Sequence, residues 1–389
     1  MKVHENRKKC VILHHYYINN VKDMEQQDTS RKVLPAEWAP QSAVMLTWPH
    51  SNTDWQPILP QITETYVRMA KEIVKRERLI IVTPEPNKVR QLLPHSPRIT
   101  YVKCDTNDTW ARDHGFITLV DREQKSPFTG HRLLDFQFNG WGKKFEASLD
   151  NRINRSLFDA GIVNGEYIDC NDFVLEGGSI ESDGEGTVFT TTGCLMAPNR
   201  NQPLSQDEIE EELKKRLAAD RILWIDHGDL VGDDTDGHID TLVRVAPADT
   251  LLYMGCDDEN DEQYEQLHKM EEDLRMLQTK SGRGYRLLRL PSPRPIYYDG
   301  EQFLDSPTEG AERLPATYAN FLVINGAVLY PTYAQPDLDA EAAAVIADAF
   351  PDREIIGIDC RPIIIQHGSL HCCTMQFPAG VVVKAKTTE

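Results

Sequence analysis

Four short segments of this chain carry the residue types that acid–base and nucleophilic chemistry needs, and they lie far apart in sequence. Asp108-Thr-Trp110-Ala-Arg112-Asp113-His-Gly115 sets two carboxylates and an arginine around a tryptophan. Taken alone, it reads equally well as a surface ion-pair turn, where such pairs contribute little. Leu175-Glu176-Gly177-Gly178 places a carboxylate directly before two glycines, where backbone can approach closely. The Asp183-Gly184 that follows reads as the turn of a hairpin. In Gly232-Asp-Asp-Thr-Asp236-Gly237-His238-Ile-Asp240 a histidine sits among acids. On an extended strand, His238 and Asp240 would point to the same face. A lone histidine is more often packed or solvated than catalytic. Nearby negative charge, however, favours the imidazolium that a general acid requires. The fourth segment, His367-Gly368-Ser-Leu-His371-Cys372-Cys373-Thr374, presents two adjacent thiols. Neighbouring cysteines meet disulfide geometry poorly, and the spacing lacks the usual zinc-ligand form. A single nucleophile is the better reading, because only one of two adjacent residues in an extended segment faces a given side.

Together the four segments describe a site for a planar cation. A guanidinium needs carboxylates to accept its paired N–H groups in fork geometry. Its central carbon is then open to attack by a thiolate, and ammonia must be protonated as it leaves.

The elements that must position these residues are short and of two kinds. Strand-length apolar runs bounded by Gly, Pro, Asn or Asp recur at Ala43–Trp48, Leu79–Thr83, Ile99–Cys104, Gly115–Val120, Thr187–Thr191, Leu242–Val245 and Thr250–Met254. They continue at Phe321–Ile324, Ala327–Tyr330, Glu354–Ile358 and Gly380–Lys384. Helical spacing falls between them: Ile62, Tyr66, Met69 and Ile73 share a face, and Ser205 with Glu208 forms a capping-box pattern ahead of Ile209–Ala218. Tyr264, Leu267, Leu274 and Leu277 mark a third helix and Leu338–Phe350 a fourth. The alternation predicts a mixed α/β fold in one domain, 34–389, with residues 1–33 as an extension outside it. Met24 offers a second start.

Net charge over the 389 residues is −19, with no basic cluster of the kind a nucleic-acid binder shows. An acidic surface instead attracts cationic small molecules. No apolar run approaches the roughly 20 residues of a bilayer span, and Val11–Leu13 is too short for a signal core. The expectation is a cytoplasmic protein whose eight cysteines are mostly reduced, with neither membrane nor nucleic acid as partner.

The segments resemble the agmatine deiminase family, the guanidine-modifying enzymes that include Porphyromonas-type peptidylarginine deiminases. The likeness runs from Leu34-Pro-Ala-Glu37-Trp38 to Gln376-Phe-Pro378. It takes in Trp48-Pro49 with Asn52-Thr-Asp54-Trp55, Phe138-Asn-Gly-Trp141-Gly, Cys194-Leu-Met-Ala-Pro198-Asn-Arg-Asn201 and Tyr318-Ala-Asn320 with Asn325-Gly326. The resemblance implies a pentein α/β propeller of pseudo-fivefold ββαβ modules, a homodimer, and a hydrolase that converts agmatine and water to N-carbamoylputrescine and ammonia on the way to polyamines. It implies Cys372 as nucleophile and His238 as general acid/base. Asp113 and Asp240 would grip the guanidinium, and Glu176 would orient the histidine. Trp110 and Trp141, with Asp108 and Asp236, would shape the substrate channel. Neither a metal nor an organic cofactor is implied.

The family's Gly-Gly-Asn ahead of Ile-His-Cys is here His367-Gly368-Ser369 ahead of Leu-His-Cys, a departure that bears on substrate choice. A deiminase for peptidyl-arginine or another arginine derivative is the alternative. It would need an arginine such as Arg112 or Arg200, or backbone donors, for the substrate's far end. A metallohydrolase built on His238-x-Asp240 would need further histidine ligands.

Overall fold

The computed structural model describes residues 32–122 and 130–382. The first 31 residues, with Met24 and Cys10, therefore lie outside the described part. Lys32–Val33, assigned by sequence to the extension, instead forms a short strand against Val120–Asp121.

The apolar runs become strands in small sheets built on one pairing pattern. Strand β1 (Gln41–Thr47) is followed by α1 (Leu59–Arg76), then by β2 (Arg78–Thr83) parallel to β1, with β3 (Ile99–Lys103) added beyond. Next, β4 (Ile117–Asp121) and β5 (Arg132–Gln137) form an antiparallel pair. Helix α2 (Ile153–Asp159) leads to β6 (Glu166–Val174), parallel to β5. The hairpin β7 (Ile180–Ser182) and β8 (Thr187–Thr191) is joined through α3 (Gln206–Leu217) to β9 (Arg221–Ile225). Strands β10 (Val243–Ala246) and β11 (Thr250–Met254) connect through α4 (Tyr264–Met276) to β12 (Arg286–Leu290). Strands β13 (Leu322–Ile324) and β14 (Ala327–Thr332) connect through α5 (Pro336–Ala349) to β15 (Glu354–Asp359). The last strand, β16 (Thr374–Pro378), returns antiparallel to β1. Among the described residues, five of the six sheets thus carry an antiparallel pair whose second strand is followed by a helix and a parallel partner, a mixed α/β arrangement; the sixth, Tyr297–Tyr298 with Phe303–Leu304 and Glu312–Arg313, is antiparallel throughout.

Local chemistry explains the helices. In α1, Ile62, Tyr66, Met69 and Ile73 repeat at helical spacing and are all fully buried. Each large apolar side chain of that kind contributes roughly 1.5–3 kcal/mol on burial. The Ser205–Glu208 capping box forms as its sequence predicts: the Ser205 hydroxyl accepts from Glu208 N, and the Glu208 carboxylate accepts from Ser205 N. The expected strand at Gly380–Lys384 does not form in its described part. Val382 makes one bridge to Val163, while Thr374–Pro378 takes the place beside β1. No helix among the described residues is long and apolar enough to cross a membrane.

The connectivity determines where chemistry can sit. In four of these five sheets the segment leading into the antiparallel pair carries one of the singled-out motifs. Trp110–Asp113 precedes β4, Glu176–Gly178 precedes β7, His238–Asp240 precedes β10, and His371–Cys372 precedes β16. The lead-in to β13 supplies Thr317–Asn320.

Candidate active site

Cys372, Asp113, Trp110, Trp141 and Asp108 line one cavity, together with Asp54, Phe145, Asp234, Thr235, Gln366, His367 and Gly368. Residues separated by more than 300 positions thus share one wall. A backbone hydrogen bond from Arg112 N to the Cys372 carbonyl, 3.1 Å, ties the first lead-in segment to the last.

His238, Asp240 and Glu176 are fully buried and do not line that cavity; beside its Asp113, three polar atoms converge on a glycine. A Cβ at Gly178 would lie 2.7 Å from His238 Nδ1, 2.9 Å from Asp113 Oδ1 and 3.1 Å from Asp240 Oδ2. Gly178 N also donates to Asp113 Oδ1 at 3.1 Å, and Trp141 Nε1 donates to Asp113 Oδ2 at 3.0 Å. Trp141 adopts φ 53° to reach it, a left-handed conformation uncommon for an aromatic residue. His238 and Asp240 do meet in the site, but not by strand alternation. His238 sits at the start of a 3-10 turn, Ile239–Thr241, so the turn rather than a two-residue period aims them.

The electrostatics separate the two carboxylates. Burial pushes Asp113 up to about 6, with Asp240 and Glu176 adding to the rise against the opposing pull of His238 and Trp141. Burial would also raise Asp240, but the hydrogen bond and charge of His371, then His238 and Arg244, hold it below the ordinary value. Burial opposes the His238 charge, yet Asp113, Cys194 and Glu176 outweigh it and push His238 up to about 10. The Cys372 thiol is driven well above the ordinary range by burial first, then by Asp240 and Asp113. His238 Nδ1 and Nε2, Asp240 Oδ1 and Glu176 Oε2 are buried without a hydrogen-bond partner in the protein. Leaving such groups unpaired costs free energy, so their clustering favours a ligand that donates to the oxygens.

Other expectations come out differently. Glu176 makes no hydrogen bond to His238. Its Oε1 accepts from Arg200 Nε at 3.0 Å, while the carboxylate remains close enough to act on His238 by charge. Asp236 does not line the cavity, because Arg200 Nη1 at 2.6 Å and Lys144 Nζ at 2.7 Å draw its carboxylate away. Asp54 and Asp234 stand at the cavity instead. Arg200 is held by Glu176, Asp236 and the Thr235 carbonyl, and Arg112 faces a second cavity, so neither serves a substrate's far end. The Cys372–Cys373 segment is a turn rather than extended. Cys373 packs into the core with Tyr66 and Cys360, leaving Cys372 as the cavity thiol.

By sequence Asn320 stands only within the family likeness, with no role assigned. Its Oδ1 accepts from His371 N at 2.8 Å and from Cys372 N at 3.3 Å, and lies 3.4 Å from Cys372 Sγ. Its Nδ2 donates to the Asp240 carbonyl at 3.2 Å, so one amide joins two lead-in segments. The repeated place before an antiparallel pair was the signal that could have found it. Among the described residues, two groups have metal-ligand chemistry, Glu176–Cys194–His238 and Glu37–Glu181–His371. The second is already matched by Arg244 and Arg112, and in the first Arg200 occupies one Glu176 oxygen.

Residues 33–378 match the Porphyromonas-type peptidyl-arginine deiminase family. An agmatine deiminase of Pseudomonas putida is 35% identical over 365 residues, covering 90% of this chain and 96% of its own. The structure of a C. jejuni agmatine deiminase with substrate bound superposes with a TM-score of 0.80 at 37% identity, covering 90% of this chain and 97% of that one. A Porphyromonas gingivalis structure, proposed as an arginine deiminase, gives a TM-score of 0.83 at 47% identity, covering 91% and 100%.

Proposed function

The chain belongs to the Porphyromonas-type peptidyl-arginine deiminase family, and from that premise we propose that it is an agmatine deiminase, hydrolysing a guanidino C–N bond to give N-carbamoylputrescine and ammonia. The observation that carries the substrate choice is the cavity wall. Asp54, Asp108, Asp113 and Asp234 line it beside three aromatic side chains, with neither lysine nor arginine among the lining residues. A substrate whose far end is an amine meets carboxylates there. One whose far end is a carboxylate meets repulsion, which disfavours free or C-terminal arginine.

The five repeated lead-in segments further support a pentein propeller, with the units set about one axis and the site at its centre. In the reaction we assign, Asp113 and Asp240 receive the guanidinium N–H groups. The arriving cation offsets the two charges that raise the Cys372 thiol, so S–H ionisation becomes easier on binding and the thiol proton passes to solvent. Sγ then forms a bond to the guanidinium carbon. His238, protonated in the resting site, gives its proton to the departing nitrogen; the C–N bond breaks and ammonia leaves. The product of this half is an S-alkylthiouronium on Cys372. Neutral His238 takes a proton from water as its oxygen bonds to the same carbon. The C–S bond breaks, the remaining hydroxyl proton returns to Sγ, and the ureido product departs.

Ammonia and ureido-product release from agmatine, free arginine and a C-terminal-arginine peptide tests this reading. Turnover of agmatine in clear preference is the expected result. Preference for arginine or the peptide would keep the chemistry and overturn the substrate.

A further inference from the structure

Next to Asp240 lies a buried set of charges that these steps do not use. His371 stands between two carboxylates, with Nδ1 at 2.7 Å from Asp240 Oδ2 and Nε2 at 2.6 Å from Glu37 Oε1. Glu37 in turn accepts from Arg244 Nη2 at 2.6 Å and lies 3.2 Å from Arg112 Nη1. Arg244 Nη2 is also 3.2 Å from His371 Nε2, so the two cations share Glu37. The rest of the Arg244 fork is spent on Glu181 and the carbonyls of Ala319 and Phe321. Glu37 comes from the segment ahead of β1 and lines the second cavity with Arg112 and Glu181, away from Cys372.

We infer that Glu37 is a positioning residue, acting through His371 to keep Asp240 ionised and fixed in orientation toward the guanidinium; this rests on the role given to Asp240 above. A carboxylate can only accept. With Asp240 and Glu37 both ionised, each ring nitrogen of His371 must present a proton to one of them, and both bonds are charge-assisted. The Glu37 charge is itself secured. Burial opposes it, but His371, Arg244 and Arg112 hold its carboxyl well below the usual range. A proton relay outward is therefore disfavoured, because Glu37 is a poor proton acceptor, and the row acts as a fixed clamp.

The clamp accounts for the difference between the two site carboxylates. Asp240 is faced by His371, His238 and Arg244 as counter-charges, and by Asp113 and Cys372 from the cavity side. Replacing Glu37 by an amide removes the anion that fixes the second proton of His371. Asp240 then resembles Asp113, which burial lifts to about 6. Since the guanidinium needs ionised carboxylates, activity falls as pH drops through their pKa values. Two carboxylates titrating together make that fall steeper than one.

The test is kcat and KM for agmatine across the pH range for wild type, Glu37→Gln and Glu37→Asp, with a thermal melt of each. In wild type, kcat/KM should fall on the acid side with the uptake of one proton. In Glu37→Gln the fall should approach two protons and move upward, and KM should rise about tenfold, the equivalent of about one pKa unit. Glu37→Asp should restore part of both. Arg112→Gln, which loosens Glu37 without removing it, should show a smaller change in the same direction and serves if Glu37→Gln does not fold. A folded variant with the wild-type KM and acid limb overturns the inference alone. A wild type that turns over no agmatine at any pH overturns the underlying reading, and this inference with it.

Discussion

Cys372 Sγ stands 3.9 Å from Asp240 Oδ2, so the proposed nucleophile rests against a carboxylate rather than an imidazole. That neighbour, with burial and Asp113, keeps the resting residue a thiol. Alkylation of Cys372 by iodoacetamide, followed by peptide mass mapping, should therefore be slow at neutral pH and keep rising with pH beyond the point where an ordinary thiol has ionised. A rate already at its plateau below about pH 8 would show a thiolate at rest and contradict this electrostatic picture.

The two pKa shifts nearest the chemistry predict a bell-shaped profile. Asp113, raised to about 6, must lose its proton to hold a guanidinium, so kcat/KM should fall below about 6. His238, raised to about 10, must keep its proton to release ammonia, so activity should fall above about 10. The plateau should lie between these limits. An alkaline limb centred near 6.5, the ordinary histidine value, would show that Asp113, Cys194 and Glu176 do not hold the imidazolium.

Gly178 leaves open the space on which His238, Asp113 and Asp240 converge. Gly178→Ala would put a methyl 2.7 Å from His238 Nδ1. Turnover should drop by about a thousandfold, because small displacements of reacting groups carry large rate costs. The melting curve should stay near that of wild type. Near-normal kcat/KM in this variant would mean that the guanidinium binds elsewhere.

Asn320→Ala removes the side-chain acceptor for Cys372 N and one of two acceptors for His371 N, which keeps the Asn320 carbonyl at 3.2 Å. Leaving buried donors unpaired costs about 1–3 kcal/mol, so a fall in kcat of about 10- to 100-fold is expected, with a measurable loss of stability. Steady-state kinetics with a denaturation curve checks both. A variant that loses stability but keeps kcat would reduce Asn320 to a structural role.

What the sequence disclosed and what it hid follow a physical division. The Ser205–Glu208 cap and the apolar face of α1 were legible because their partners lie three or four residues apart. The motifs of the candidate site were legible as residue types, since acids, His and Cys in short segments suit few other purposes. Their geometry was not. His238 and Asp240 were expected to align by strand period, but a 3-10 turn aims them. Asp236 looked like a pocket acid because its cation partners, Lys144 and Arg200, lie 92 and 36 positions away. Glu37 reaches His371 across 334 positions, and Asn320 reaches Cys372 across 52. Neither contact leaves a local pattern. The strand β12, Arg286–Leu290, carries two arginines and is mostly half-exposed, so its alternation is faint.

The central claim is a covalent intermediate on Cys372, and rapid acid quench of the protein during agmatine turnover tests it most directly. Peptide mass spectrometry should find the Cys372 peptide heavier by agmatine less ammonia. The adduct should be missing in Cys372→Ser, which should stay folded while losing turnover by at least about ten-thousandfold. Cys373→Ser, altered only in the core beside Tyr66, should still form the adduct. An adduct on Cys373, or full turnover by Cys372→Ser, would contradict the account.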